Sequence, residues 1–234
     1  MRSYLAHYPR TVPARMGAER AARFIRAAAE QNFGGRLIDI GCGAKWKADL
    51  VGDLVDEYVG LDHAGSMHDV SQVDLLGSAD AIPAPDASFD CALCTSVLEH
   101  LEEPRAALAE CWRVLKPGGT AIYTVPMYWH LHEQPRDFYR YTPFGLRYLF
   151  EKVGFERVEV TPMAGFWVTY ASELGYYWLS ATPRVMRPLV SVCTFVANVV
   201  TPLIDGIECK IHRRSHEWAW MQLVVARKPR AREQ

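Results

Sequence analysis

The sequence predicts an α/β fold in which short parallel strands are covered by helices on both faces. Short apolar runs recur at Arg36–Ile40, Tyr58–Asp62, Asp90–Cys94 and Thr120–Val125. Runs of this length without strict alternation suit strands buried on both faces. Stretches of helical periodicity lie between them, and strand–helix alternation marks a parallel sheet. The composition agrees: the 234 residues are 50% hydrophobic and 23% charged. That is ordinary for one large globular domain and excludes a disordered, collagen-like or low-complexity chain.

The elements follow in order. The opening dozen residues carry no pattern and read as a loose arm. From Pro13 to Phe33, Ala21, Phe24, Ile25 and Ala28 recur at helical spacing, and Gly34-Gly35 stops the helix. Residues 1–35 are thus an arm and a helix. In the unit 36–161, Pro104 opens a helix with Glu102 and Glu103 at its positive end. Its core face is Leu108, Cys111, Trp112 and Leu115, and Pro117-Gly118-Gly119 ends it. Thr142-Pro143 caps and opens the next helix, with core face Leu146, Leu149, Phe150 and Val153 and a stop at Gly154. Phe155–Thr161 reads as a strand. Residues 217–234 hold the last strand, Trp218–Ala226, and a basic tail.

Residues 162–216 are too long for an ordinary connection of about 2–5 residues and must hold structure of their own. Phe166, Trp167, Tyr170, Tyr176, Tyr177 and Trp178 come first, then an uncharged run from Pro188 to Ile204. That run of 17 residues is just short of the ~18–20 of a membrane span, and Pro202 interrupts it. One reading is a helical lid buried over an acceptor site. The other is a surface, through 162–205, that contacts a membrane or shapes a tunnel for a lipid-like acceptor. Arg184, Arg187, Lys210, Arg213 and Arg214 suit anionic lipid, and equally a solvated helix end.

Lys plus Arg is 26 against Asp plus Glu 27, a net charge of −1. A dedicated duplex-nucleic-acid binder would carry a basic surplus, so none is expected. Six scattered cysteines do not make a disulfide scaffold, and Met1–His7 has no apolar core of signal-peptide length. A reduced, cytoplasmic protein is the expectation, with membrane association as the variant that 162–205 would bring. Oligomeric state is not readable.

The strongest chemical signal is Asp39-Ile40-Gly41-Cys42-Gly43 followed by Asp62. A glycine elbow after a strand lets backbone approach a ligand closely. A carboxylate ending the next strand can accept from both hydroxyls of a ribose. The interval from Gly43 to Asp62 is 19 residues, close to the ~20 expected. Trp46 stands where a dinucleotide fingerprint has its third glycine, which disfavours a nicotinamide or flavin cofactor. An elbow plugged by a side chain would remove the nucleoside reading altogether.

In order, LIDIGCG at 37–43, YVGLD at 58–62, ADAIPAPDASFD at 79–90, SVLEHL at 96–101 and RVLKPGG at 113–119 resemble the class I S-adenosylmethionine-dependent methyltransferases, type 11 branch. The resemblance covers 36–161 and 218–229. It implies a Rossmann-like, seven-stranded, mostly parallel sheet with an antiparallel last strand and a helical insertion before it. It also implies S-adenosylmethionine as cofactor. Asp39 and the backbone of Gly41, Cys42 and Gly43 would hold its methionine end, Asp62 the ribose, and His63 and Ala79 the adenine. Thr95 would face the amino-acid portion. Ser78 stands where the family places an acid toward the adenine amino group, implying weaker recognition there. The Pro-Pro-Tyr signature of nucleobase amino methylation is absent after the fourth strand, where Cys94-Thr95-Ser96-Val97 stands.

Acceptor chemistry is expected in 126–141, beyond the carboxyl edge of the sheet. This stretch resembles a His-x-x-Pro-x-Asp-Tyr-Trp-Arg-Phe-Thr element of one branch of the family. His132 is the candidate base, oriented by Asp137 or Glu133, and Arg140 would meet an anionic acceptor group. Alternatively, Asp137 and Arg140 pair with each other to hold the loop. No metal is expected. His130-x-His132 and His212-x3-His216 each lack a third ligand, and Cys91-x-x-Cys94 points to opposite sheet faces. Relatives acting on quinone precursors hold Mg²⁺ through Glu-Val-Leu-Glu-His, but here Ser96 replaces the first acid. The expected activity is methyl transfer to a small-molecule, lipid-like or glycan-linked acceptor at oxygen or nitrogen. The alternatives are a nicotinamide-dependent Rossmann oxidoreductase and a non-catalytic S-adenosylmethionine-binding partner subunit.

Overall fold

The computed structural model describes Tyr4, residues 12–211 and residues 214–230. The N-terminal arm apart from Tyr4, the basic tail from residue 231, and His212 and Arg213 lie outside the described residues. Seven strands form one sheet: β1 (Arg36–Ile40), β2 (Glu57–Asp62), β3 (Leu75–Leu76), β4 (Phe89–Thr95), β5 (Leu115–Pro126), β6 (Glu156–Pro162) and β7 (Met221–Arg227). Their order is β3-β2-β1-β4-β5-β7-β6. β3 to β5 run parallel, and β7 lies antiparallel between β5 and β6. The order reverses between β1 and β4, the switch point where open α/β sheets bind ligands.

Helices cover both faces: α1 (Val12–Asn32), α2 (Ala48–Val51), α3 (Pro104–Val114), α4 (Pro143–Val153), α5 (Phe166–Ala181) and α6 (Arg187–Ile211). One core, with Ile38, Ile40, Ala92 and Cys94, packs under α3 and α4. The other, with Leu37, Cys91, Leu93 and Ile122, packs under α1. Cys91 and Cys94 therefore fall into opposite cores, as strand geometry requires.

Local chemistry sets the ends. The Thr142 side chain accepts from the Gly145 N–H, 3.1 Å, and Gly154 closes α4 at φ 114°. Some expectations shift. The buried stripe of α1 is Ala18, Ala22, Ile25 and Ala29, one residue over from the predicted one; Ala21, Phe24 and Ala28 pack beside it, half-buried. α3 stops at Val114, before Pro117, because the chain enters β5 at Leu115. The last strand begins at Met221, since Ser215–Trp218 forms a 3-10 turn. The insertion is a helical hairpin, α5 and α6, and α6 runs on through Pro202.

Candidate active site

The turn after β1 is built for close approach. Gly41 has φ 71° and Gly43 φ 52°. A Cβ on Gly41 would lie 2.3 Å from the Val97 side chain, and one on Gly43 would crowd His68 at 3.2 Å. Asp62, buried at the end of β2, accepts from the Gly43 N–H and from its own neighbour His63, both at 2.7 Å. One carboxylate thus fixes the elbow while sitting beside it. The elbow is not plugged: it opens on a cavity of about 680 Å³, within the range of small-molecule sites.

Gly41, Cys42, Gly43, Asp62, His63, Ser78, Ala79 and Thr95 all line this cavity. Asp39 does not. It is fully buried behind the elbow, one oxygen accepting from the Tyr58 hydroxyl and the other unpartnered. Burial pushes its pKa up to about 6. Thr95 Oγ1 is buried at the cavity wall with no hydrogen-bond partner. The cradle a Cβ would fill, the Asp62 carboxylate and this orphaned hydroxyl fit a nucleoside carrying a polar amino-acid tail.

The same cavity is also lined by Tyr4, α1, Glu99–Leu101, Trp129, His132–Arg136, Tyr176 and Trp220. The loop from β5 to α4 is pinned to the segment after β4. Phe138 N–H donates to the Glu99 carbonyl, 2.9 Å, and Tyr141 OH to that of Leu98, 3.0 Å. His100 Nδ1 meets the Arg136 carbonyl at 2.7 Å, and Glu133, at φ 50°, lies before the cis Gln134-Pro135 bond.

Asp137 and Arg140 form the loop-holding pair. Arg140 reaches both Asp137 oxygens, at 2.6 and 2.8 Å, and also donates to the carbonyls of Trp129, His130 and Tyr139. The Arg140 guanidinium holds the Asp137 carboxyl well below the usual carboxylate range. Neither side chain lines the cavity. Asp137 Oδ2 accepts from the His132 N–H, 2.9 Å, and lies 3.3 Å from His132 Nδ1. Asp137 therefore holds the backbone of His132, while His132 Nδ1 makes no hydrogen bond and its Nε2 lies 3.9 Å from Glu99 Oε1.

Glu99 carries the site's least expected chemistry. It is fully buried, neither oxygen has a hydrogen-bond partner, and burial pushes its pKa up to about 8. Burial, then the neighbouring His100, lower the pKa of His132. Glu133 is held low chiefly by its hydrogen bond to His68. Glu99, His100 and His132 each offer a donor atom within 4.8 Å of the others, a set able to hold a divalent cation. The spacing rules found no third ligand for His132 because its partners lie 32 and 33 residues upstream. The sequence signal for Glu99 and His100 was the Glu-His that closes Ser96-Val97-Leu98-Glu99-His100, which matches the end of the Mg²⁺ element of the quinone-precursor relatives although its first acid is replaced.

The fold and site define a Rossmann-like nucleoside-binding α/β unit with an acid–base cluster facing it. Residues 38–123 match the family model described as a methyltransferase domain. This stretch, less than half of the chain, is therefore similar to the class I, S-adenosylmethionine-dependent methyltransferase domains of the type 11 branch. The chain is 34% identical over 96 residues to a probable S-adenosylmethionine-dependent methyltransferase of Mycolicibacterium smegmatis, covering 38% of this chain and 37% of that one. A ubiquinone biosynthesis O-methyltransferase of Cereibacter sphaeroides is 28% identical over 181 residues, 64% of this chain and 73% of the other. The chain spans less than half the length of that Mycolicibacterium relative and of two further curated ones, at 37%, 48% and 38%. Among solved structures, the (4+2)-cyclase SpnF superposes with TM-score 0.60 at 20% identity, covering 93% of this chain and 84% of its own. A Haemonchus contortus phosphoethanolamine N-methyltransferase gives 0.53 at 16%, covering 88% and 53%. These two likenesses show the fold alone.

Proposed function

We propose that this chain binds S-adenosylmethionine at the glycine elbow and transfers its methyl group to a hydroxyl or amine of a small or lipid-like acceptor. The observation that carries this is a single cavity lined both by the elbow and Asp62 and by His132 and Glu99. The cofactor supplies an electrophilic methyl on a sulfonium. Asp62 and the elbow backbone hold the nucleoside, and the Thr95 hydroxyl is free to bond the amino-acid end. Acceptor alignment and water exclusion fall to Trp129, Tyr176 and Trp220, which pack together in its lining. His132, neutral near pH 7, takes the acceptor's proton at Nε2, and Asp137 holds the His132 backbone through its N–H. Arg140 positions the loop through Asp137. The relatives named for ubiquinone biosynthesis favour a phenol or lipid-like hydroxyl among acceptors.

Calorimetric titration with S-adenosylmethionine and, in parallel, a nicotinamide dinucleotide tests the cofactor. Labelled methyl transfer to a panel of phenols, amines and lipid-linked hydroxyls tests the reaction. Preference for the dinucleotide would revive an oxidoreductase; cofactor binding with no transfer to any acceptor would support a non-catalytic subunit. A second reading is favoured by the convergence of Glu99, His100 and His132: a divalent cation there would bind the acceptor oxygen. Activity lost to a chelator and restored by a divalent cation would select that reading.

A further inference from the structure

Helix α6 is inside out. Its buried stripe is largely polar: Thr194, Asn198, Thr201 and Asp205 face the protein. Its exposed stripe is apolar: Leu189, Val192, Phe195, Val196, Val199 and Leu203 are each 48–67% exposed. A surface helix of a soluble domain shows the reverse. The helix is 25 residues long, and 28% of its most apolar window is buried. Its contact with α5 is also unlike a soluble core. Ser172 Oγ meets Asn198 Oδ1 at 3.2 Å, and Thr169, Ser172 and Gly175 are the buried small residues of α5. Small and hydrogen-bonding residues between helices, with apolar residues outside, are the packing that a hydrocarbon surround favours.

Charge decides what covers this face. Residues 174–204 contain two charged side chains, Arg184 and Arg187, and no acid. Both arginines lie at the turn between the helices, beside exposed Val185 and Met186. Of the hairpin's acids, Glu173 in the middle of α5 pairs with His130, and the others sit at the base. Asp205 accepts from the N–H groups of Gly165, Trp167 and Val168 at the start of α5, and Glu208 accepts from Trp167 Nε1. On α5, Tyr177 and Trp178 are 67% and 56% exposed near the turn, residue types that favour the membrane–water boundary. A second copy of the chain would bring two cationic tips together; anionic headgroups over hydrocarbon complement both features.

We propose that the α5–α6 hairpin docks on an anionic lipid bilayer. The outward stripe of α6 lies at the headgroup–acyl boundary, and Arg184 and Arg187 sit among the phosphates. The proposal is independent of the methyl-transfer reading.

The experiment is co-sedimentation of the full chain with vesicles of phosphatidylcholine alone or mixed with phosphatidylglycerol. Binding to the mixed vesicles, weakened by salt, is expected. Arg184→Glu with Arg187→Glu should lower partitioning more than about tenfold. Val192→Glu with Val196→Glu should abolish it while leaving the circular dichroism spectrum and thermal midpoint unchanged. Should those variants misfold, quenching of wild-type tryptophan emission by bromolipid, reduced in Trp178→Phe, gives the same answer. The proposal is overturned if the wild-type chain stays in the supernatant with both vesicle types. It is equally overturned if the chain sediments as a dimer that ignores vesicles and that Val192→Glu with Val196→Glu dissociates.

Discussion

Replacing Glu99 by Gln should make the protein more stable at alkaline pH, and the size of the effect follows from burial. The folded chain holds a proton on Glu99 up to about pH 8, whereas the unfolded chain releases it near 4.5. Between these values the native state binds more protons than the unfolded one, so stability falls as pH rises. At about 1.4 kcal/mol per pH unit, the loss across that window is of order 4–5 kcal/mol, a large share of a typical domain's stability. Gln keeps the shape and cannot ionise. Urea unfolding of both proteins from about pH 5 to about pH 8 is the assay, read as the difference between their curves so that other titrating groups cancel. That difference should grow by about 1.4 kcal/mol per unit in favour of Glu99→Gln and level off above about pH 8. Parallel curves would refute the reasoning. They are what a Glu99 already ionised above about pH 5, the state a bound cation would impose, gives.

Asp62→Ala removes a carboxylate that anchors the elbow and faces the nucleoside end of the cavity, and should weaken cofactor binding by about 1.5–3 kcal/mol in calorimetry. An unchanged dissociation constant would count against that placement. His132→Ala should lower turnover by about 10²–10⁴ with cofactor affinity little altered; near-normal turnover would remove it from the chemistry. Arg140→Leu leaves the Asp137 carboxylate, 2% exposed, without its ion-pair partner. It should cost roughly 2–4 kcal/mol in urea unfolding and loosen His132, visible as a broader acidic limb in the pH–rate profile.

The cofactor half was legible because backbone geometry dictates its residue types. Only glycine tolerates the positive φ and the close Val97 contact at Gly41, and the strand-to-strand interval sets where Asp62 falls. The acceptor half was legible in place but not in detail. Sequence puts chemistry in 126–141, yet whether Arg140 meets a substrate or Asp137 depends on side-chain paths that spacing does not encode. Glu99 was missed for a related reason. Its importance comes from having no partner, a property of the packed state. The hairpin was half-read: an uncharged run is visible, but which face turns outward emerges only once α5 has taken the polar side.

The distribution of charge also bears on what the cavity can accept. Its lining includes Glu99, Glu133, His100 and His132, together with Lys47, which precedes α2, and Arg136, which lies 3.5 Å from Glu102. Arg140, the strongest local cation, is spent on Asp137 and three carbonyls. A carboxylate or phosphate brought to His132 would meet the ionised Glu133 with Arg140 already committed to Asp137, and desolvating it there would be costly, while Glu99, protonated up to about pH 8, adds no charge. A hydroxyl or an amine suffers no such penalty: each can donate to Glu99 or His132 while its carbon frame lies on Trp129 and Tyr176. On the methyl-transfer reading proposed above, the cavity lining therefore suits a hydroxyl or an amine at the reacting atom better than an anion.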